Sequence, residues 1–369
     1  MIPVCQPLLG GKELEYVTNC LQTNWISSIG RYVNEFEECF ANYCGCKYGI
    51  ATTSGTTALH LAIASLELNE GDEVIVPTFT NAASAFSVIY AGLKPVFVDA
   101  EPETLNIDVT LIKAKLSKRT KAIMPIHIYG HPCDMDPILE IAKEYGLYVI
   151  EDAAEAHGAE YKGRRTGGIG DVNCFSFYGN KIITTGEGGM VVTNNAVVAE
   201  KARQLKNLGY SSQNRYCHED VGFNYRMTNV QAAIGLAQFE CIDEYVAMRR
   251  QNALLYNHLL NDVSGICLPM EKEWAKNVYW MYAITITDEF GMIRDELMAG
   301  LKEKGVETRR FFTPMNRQPA LHKIGICQSE GYPVADKLSL KGLYLPSGSG
   351  LLTKQIEYVC QSIRELRGD

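Results

Sequence analysis

The chain has 369 residues, with 35 Lys plus Arg against 43 Asp plus Glu and a formal net charge of −8 with histidine neutral. Hydrophobic residues make up 46% and charged residues 21%, a globular balance that excludes intrinsic disorder and leaves room for one large core plus a smaller lobe. The acidic balance, without any long basic cluster, excludes nucleic acid as a main partner, so any phosphate must be held locally.

Residues 1–10 carry neither a basic leader region nor an apolar one, and the longest weakly polar stretch, 82–93, is too short to span a bilayer. A soluble, cytoplasmic protein with no membrane partner is the expectation. Twelve cysteines are scattered along the chain, and only Cys44 and Cys46 lie close together. A zinc site needs a second ligand pair at related spacing, so free thiols are expected, with no disulfide framework and no metal.

From Lys47 to Glu151 short apolar runs alternate with helical periodicity. Strands are predicted at 48–51, 73–77, 95–98, 122–126 and 147–150, and helices at 56–66, 82–91, 109–116 and 135–145, two of them ending at Gly92 and Gly146. Apolar strands joined by helices predict a largely parallel sheet covered on both faces, because each parallel connection needs a crossover. Ligands of such sheets gather at the carboxyl ends of the strands.

Three segments at those ends carry chemistry. Ser54, Gly55, Thr56 and Thr57 stand between a strand and a helix, so Ser54 can cap while the first-turn N–H groups face an anion. Simple capping is the alternative, and the position in the sheet favours phosphate. Asp152 follows the 147–150 run in Glu-Asp-Ala-Ala-Glu, where small neighbours admit a flat ring and a buried carboxylate needs a cationic partner. Helix capping competes there, and the glycines that follow disfavour it.

From 158 to 194 the texture becomes Gly-rich and strand-rich, with strands predicted at 173–178 and 189–193. Lys181 ends the run Ser176-Phe177-Tyr178-Gly179-Asn180-Lys181 and precedes a second glycine cluster. Most lysines are solvated, but strand exit, Ser176 and glycines that permit close backbone approach set this one apart. A lysine that attacks a carbonyl must be desolvated or placed near other cations, so that its amine is often neutral. A phosphate cradle, a carboxylate for a ring nitrogen and a reactive lysine together fit pyridoxal 5'-phosphate.

Other signals are weaker. Gly167, Gly168, Ile169 and Gly170 suggest a dinucleotide loop, but no apolar strand precedes them and no helix follows. His131 and His157 have no partner at a defined spacing and are expected to be structural. A helical stretch from 227 to about 261 leads out of the large domain, and 282–287 with 292–304 begins a smaller α/β lobe, which predicts domains of 1–245 and 246–369. In that lobe Arg309 and Arg310 combine planar cations with Phe311 and Phe312, which suits a nucleotide diphosphate or a donor carboxylate. A solvated charge pair on a strand edge is the alternative.

On the stretches 24–28, 54–61, 71–80, 151–158, 175–193, 222–229 and 308–314, the chain resembles the sugar-nucleotide aminotransferases of the fold type I pyridoxal-phosphate class over nearly its whole length. The resemblance implies an α/β architecture, with a mostly parallel sheet between helices and a smaller C-terminal α/β domain. It implies that Lys181 forms the Schiff base with the cofactor and that Asp152 pairs with the pyridinium nitrogen. The Gly55 and Thr56 backbone, with the Ser176 hydroxyl, would hold the phosphate, and Asn224 would reach it from the neighbouring subunit of a homodimer. Two positions depart from the pattern. Asn81 stands where relatives commonly carry an aromatic that stacks on the ring. Glu155 stands where many carry Gln near the phenolic oxygen, and it is expected protonated or turned aside.

The implied reaction moves the amino group of L-glutamate to the C4 ketone of a nucleotide-linked 4-keto-6-deoxyhexose, as in the perosamine-forming members that serve O-antigen synthesis. The expected acceptor is GDP-4-keto-6-deoxy-D-mannose, with Ser27, Ser28, Arg31 and Arg309 as substrate contacts. A C3 dehydratase of the same family carries His where Lys181 stands. A cofactor-binding module without turnover would fail a glutamate half-reaction assay, and a nicotinamide oxidoreductase needs a glycine loop in a different context.

Overall fold

In the computed structural model, which describes residues 1–210, 216–327 and 331–368, the chain opens with α1 (Glu13–Thr23) and α2 (Arg31–Tyr43). It then runs β1 (Tyr48–Thr52), α3 (Gly55–Ala64), β2 (Glu73–Pro77), α4 (Ala82–Tyr90), β3 (Lys94–Val98), α5 (Val109–Lys115), β4 (Thr120–Ile123), α6 (Met135–Tyr145) and β5 (Tyr148–Asp152). A short antiparallel pair, β6 (Glu160–Tyr161) and β7 (Arg164–Arg165), precedes β8 (Val172–Ser176) and β9 (Gly189–Thr193). Helices α7 (Ala196–Lys206), α8 (Asn229–Glu240) and α9 (Ile242–Leu260) follow.

The central sheet has the order β1-β9-β8-β5-β4-β2-β3. Its pairs from β8 to β3 are parallel, while β9 is antiparallel to both β8 and β1. Strands β2, β8 and β9 are buried at all five positions, which is why they read as largely apolar runs rather than as apolar–polar alternation. The reversal at β9 has a local cause: residues 177–188 join β8 to β9 without a crossover helix, and two adjacent strands joined that way must be antiparallel. That loop carries Lys181.

The two leading helices are absent from the elements expected above. Helix α2 buries Tyr32, Val33, Phe36 and Phe40 on one stripe of an otherwise polar segment. The helical stretch expected from 227 to 261 is two helices, with α8 started by a Thr228 capping box and the break falling at Cys241.

The second lobe contains β10 (Ile266–Cys267), β11 (Ala275–Lys276), β12 (Tyr282–Ile286), α10 (Arg294–Glu303), β13 (Arg309–Arg310), α11 (Pro319–Lys323), α12 (Pro333–Lys341), β14 (Gly342–Leu345) and α13 (Thr353–Arg367). An antiparallel sheet, β10-β12-β14-β13, packs its own core around Tyr256, Tyr282, Leu297, Leu343 and Ile356, while β11 pairs with β6 of the first lobe. The division expected after residue 245 falls inside the continuous helix α9. The first residues of the chain run along the second lobe, with the Ile2 amide donating to the Gly305 carbonyl at 2.7 Å and the Ser347 amide to the Val4 carbonyl at 2.9 Å. The large core also takes in Val278, Trp280, Phe311 and Tyr344, so the two lobes share an apolar wall.

No helix among the described residues is long and apolar enough to cross a membrane. The twelve cysteines are free thiols.

Candidate active site

The end of β5 places two consecutive carboxylates on opposite sides, because side chains alternate along a strand. Asp152 lines a cavity of about 370 Å³ at the carboxyl edge of the sheet. Its Oδ2 accepts from Ser84 Oγ at 2.8 Å and its Oδ1 from the Ala154 amide at 3.1 Å. Burial pushes the Asp152 carboxyl above its usual range, against the pull of those two donors and of Lys181. Glu151 points the other way, onto His127 Nε2 at 2.9 Å and the amides of Gly167 (2.9 Å), Ile169 (2.7 Å) and Gly170 (2.6 Å). His127 Nδ1 accepts from the Cys133 amide at 3.0 Å, so its Nε2–H donates. Burial favours a neutral Glu151, but His127 and the backbone donors outweigh it and hold its carboxyl below the ordinary value. The glycine stretch that suggested a dinucleotide loop is therefore an internal nest for the Glu151 side chain.

Helix α3 begins at the same edge. Ser54 caps it reciprocally with Thr57: Ser54 Oγ accepts from the Thr57 amide at 3.2 Å, and the Ser54 amide donates to Thr57 Oγ1 at 2.9 Å. The first-turn amides of Gly55 and Thr56 have no hydrogen-bond acceptor among the described residues, and both residues line the cavity. Gly55 is required there because a Cβ would lie 2.6 Å from Ser176 Cβ, at the end of β8. Two free amides, a helix dipole and the Ser176 hydroxyl converge beside a position that admits no side chain, which fits the phosphate of pyridoxal 5'-phosphate.

Lys181 enters from the loop between β8 and β9. The Thr184 hydroxyl and the Thr185 amide both donate to the Phe177 carbonyl, and the Lys181 amide donates to the Tyr178 carbonyl, so the loop is folded on itself. Only 9% of Lys181 is exposed, and its Nζ lies 3.7 Å from the centroid of the Trp280 ring. Burial lowers the Lys181 pKa from its ordinary value, while Glu155 and Asp152 pull it back and Arg249 adds to the fall. Glu155 is likewise buried, and burial pushes its carboxyl up to about 7 despite Lys181 and the Tyr129 amide, which donates to Oε2 at 2.7 Å.

The cavity therefore collects Gly55, Thr56, Asp152, Glu155, Ser176 and Lys181, together with Asn81 and Arg309. Asn81 caps α4, its Oδ1 accepting from the Ala83 amide at 3.0 Å. The arginine pair is split by strand alternation: Arg309 lines the cavity, whereas Arg310 bonds Asp295 at 2.7 Å. Four expected residues lie outside the lining of this chain's own cavity. Asn224 is exposed, and Arg31 stacks on Tyr32 and donates to its hydroxyl at 2.8 Å. Ser27 and Ser28 are carried off by the start of α8, where the Asn229 amide donates to the Ser27 carbonyl at 2.6 Å and Asn229 Nδ2 to the Trp25 carbonyl at 2.7 Å. His131 and His157 do not line the cavity either. His131 bridges the Pro132 carbonyl and the Lys272 amide, and His157 packs on Phe40, Phe175 and Phe177.

Sequence reasoning missed Ser84, Trp280 and Tyr344, whereas Phe312, noted beside the arginine pair, does line the cavity. Ser84 is hidden in an apolar helical run, and the two aromatics come from the second lobe, more than ninety residues from Lys181 in sequence. No local signal marks any of these three.

The sequence pattern of the DegT/DnrJ/EryC1/StrS aminotransferase family matches residues 7–364. The chain is 45% identical over 366 residues to a GDP-perosamine synthase of Caulobacter vibrioides, an overlap of 99% of this chain and 98% of that one. It is 44% identical over 368 residues to a GDP-perosamine synthase of Escherichia coli O157:H7, covering 100% and 99%. Among solved structures it is similar to S. venezuelae DesV in complex with a ketimine intermediate, with a TM-score of 0.91, 34% identity and coverage of 97% and 95%. The chain belongs to the DegT/DnrJ/EryC1/StrS aminotransferase family and is a pyridoxal 5'-phosphate-dependent aminotransferase with an α/β fold of mostly parallel central sheet.

Proposed function

We propose that this chain transfers the amino group of L-glutamate to the C4 ketone of GDP-4-keto-6-deoxy-D-mannose, giving GDP-perosamine. The observation that carries the substrate assignment is the near-complete overlap with two chains named GDP-perosamine synthase at 45% and 44% identity.

When bound, pyridoxal 5'-phosphate supplies an electrophilic carbonyl carbon and a ring that takes up electron density as the donor's α C–H bond breaks. On this reading the Gly55 and Thr56 amides and the Ser176 hydroxyl donate to the phosphate. Asp152 keeps a proton on the ring nitrogen, with Ser84 and Ala154 holding its two oxygens. Lys181 takes the α-proton of glutamate with a neutral amine and returns a proton to the acceptor in the second half of the cycle. The buried position of Lys181 supports that role, because a solvated ammonium is a poor base. Arg309, bordering the cavity, holds a diphosphate or the donor carboxylate.

The functional unit in this reading is a homodimer. Asn224 of a second copy completes the phosphate site, and Ser27, Ser28 and Arg31 contact substrate in that copy's cavity. Trp25, Ile26 and Ile29 beside them are exposed apolar residues, which supports a loop covered by another chain. The free thiols support work in a reduced compartment, the cytoplasm.

The test supplies the purified holoenzyme with L-glutamate and a panel of GDP-, UDP- and dTDP-linked ketosugars, followed by mass spectrometry. A GDP-linked 4-amino sugar, formed with one 2-oxoglutarate, is expected to appear fastest. Faster amination of a UDP- or dTDP-linked acceptor, or a 3-amino product, overturns the assignment.

A further inference from the structure

The amine of Lys181 is buried beside two carboxylates and pairs with neither. Among the described residues its Nζ makes no hydrogen bond and no ion pair, although Asp152 and Glu155 line the same cavity and act on its charge. Its close neighbour is an aromatic face, with Nζ 3.7 Å from the Trp280 ring centroid.

Trp280 is itself held from several sides and is 4% exposed. Its Nε1–H donates to the carbonyl of Asn180, the residue before the lysine, at 2.8 Å. Its own carbonyl accepts from Arg249 Nη1 at 2.6 Å. Arg249, 2% exposed, directs its other donors to neutral acceptors: Ser349 Oγ at 3.0 Å, the Ser347 carbonyl at 3.0 Å and Cys5 Sγ at 3.5 Å. Cys5 Sγ in turn reaches the Asn180 carbonyl at 3.4 Å. The ring and the lysine backbone are thus fixed against each other through the start of the chain, α9 and the strand entry at 280.

We propose that Trp280 is the positioning residue for the Lys181 amine, its ring face being where the amine rests whenever it is free of the cofactor. The proposal rests on the assignment of Lys181 as the cofactor lysine. An indole face attracts an ammonium more weakly than a buried carboxylate does, and it packs against a neutral amine without demanding a proton. Contact with a carboxylate would instead lock the protonated form. A group that must be neutral in one half of the cycle and charged in the other needs a neighbour that tolerates both states. The titratable and charged groups facing the amine are Asp152 at the end of β5, Glu155 just beyond it, Arg249 on α9 and the thiol of Cys5 near the start of the chain, with His157 buried and neutral close by. Burial is the largest influence and holds the amine below an ordinary lysine.

The holoenzyme kept in its aminated form by excess L-glutamate leaves Lys181 free. Brief acetic anhydride pulses across a pH series, read by mass spectrometry of the Lys181 peptide, give the midpoint at which the amine becomes nucleophilic. Trp280→Met and Trp280→Leu remove the ring face, whereas Trp280→Phe keeps it and loses only the N–H to Asn180. In Trp280→Met the midpoint is expected to rise by about one pH unit as the amine turns to Glu155 and Asp152. The glutamate half-reaction kcat falls about tenfold with KM little changed, and Trp280→Phe stays near the parent. An unchanged midpoint in Trp280→Met, or in Trp280→Leu should the Met variant not fold, overturns the proposal, and so does an equal displacement in Trp280→Phe. Borohydride reduction of the resting holoenzyme separates the two readings. Cofactor fixed to another lysine discards the Lys181 assignment, whereas cofactor fixed to Lys181 with an unmoved midpoint discards the Trp280 role alone.

Discussion

Ser84 Oγ donates to Asp152 Oδ2 at 2.8 Å, both groups lying inside the protein, and Thr80 Oγ1 stands 3.1 Å from the same serine oxygen. A hydroxyl chain that starts at the amino end of α4 thus ends on the carboxylate expected to face the ring nitrogen. Ser84→Ala removes a charge-assisted bond from a buried carboxylate, so its pKa rises further. We expect a loss of about 1 kcal/mol in stability and about a tenfold fall in turnover, with the acidic limb of the pH–rate profile displaced upward. Thermal unfolding and a pH–rate series check this, and an unmoved profile would make Ser84 a packing residue only.

Lys181→Ala is expected to abolish transamination while leaving the fold, since the truncated side chain borders a cavity rather than filling the core. Circular dichroism confirms the fold and product analysis the loss. Turnover near the parent rate rejects the catalytic assignment.

Gly55→Ala forces a Cβ to within 2.6 Å of Ser176 Cβ, closer than side chains pack. Either the amino end of α3 or the end of β8 must move, and both bear the donors assigned to the phosphate. A cost of about 1–3 kcal/mol is expected from overpacking, with cofactor affinity weakened in parallel. Equilibrium dialysis of pyridoxal 5'-phosphate and thermal unfolding measure the two effects, and unchanged cofactor affinity would place the phosphate elsewhere.

Glu155 couples stability to pH. Its folded pKa of about 7 lies above the model-peptide value of 4.5, so between those two values the folded chain holds a proton that the unfolded chain has lost. The stability this proton contributes is complete below 4.5 and is lost as pH rises through about 7. Glu155→Gln cannot titrate, so its Tm relative to the parent should climb across that window and level off above it. A Tm difference independent of pH counts against a raised Glu155.

Much of the architecture was legible in the residues because burial imposes a period. Strands β1 to β5, β8 and β9 and helices α3 to α6 follow apolar patterns that need no knowledge of partners, whereas the short polar pair β6 and β7 does not. The same locality exposed Gly55, Asp152 and Lys181, each standing within a few residues of a strand's carboxyl end. Local pattern was silent about α2, whose buried stripe sits among charges, and about the reversal of β9, which depends on how a glycine-rich loop folds back.

Which distant groups meet was decided by the tertiary structure. Glu151 and Asp152 are neighbours in sequence, yet one seals an internal glycine nest and the other faces the cavity. Arg309 and Arg310 part in the same way, while Trp280 and Tyr344 arrive at Lys181 from the second lobe. Periodicity constrains what each residue does to its own stretch of backbone. Contacts across a hundred residues are set by strand order and by how two lobes close on a shared apolar wall, and no spacing along the chain encodes either.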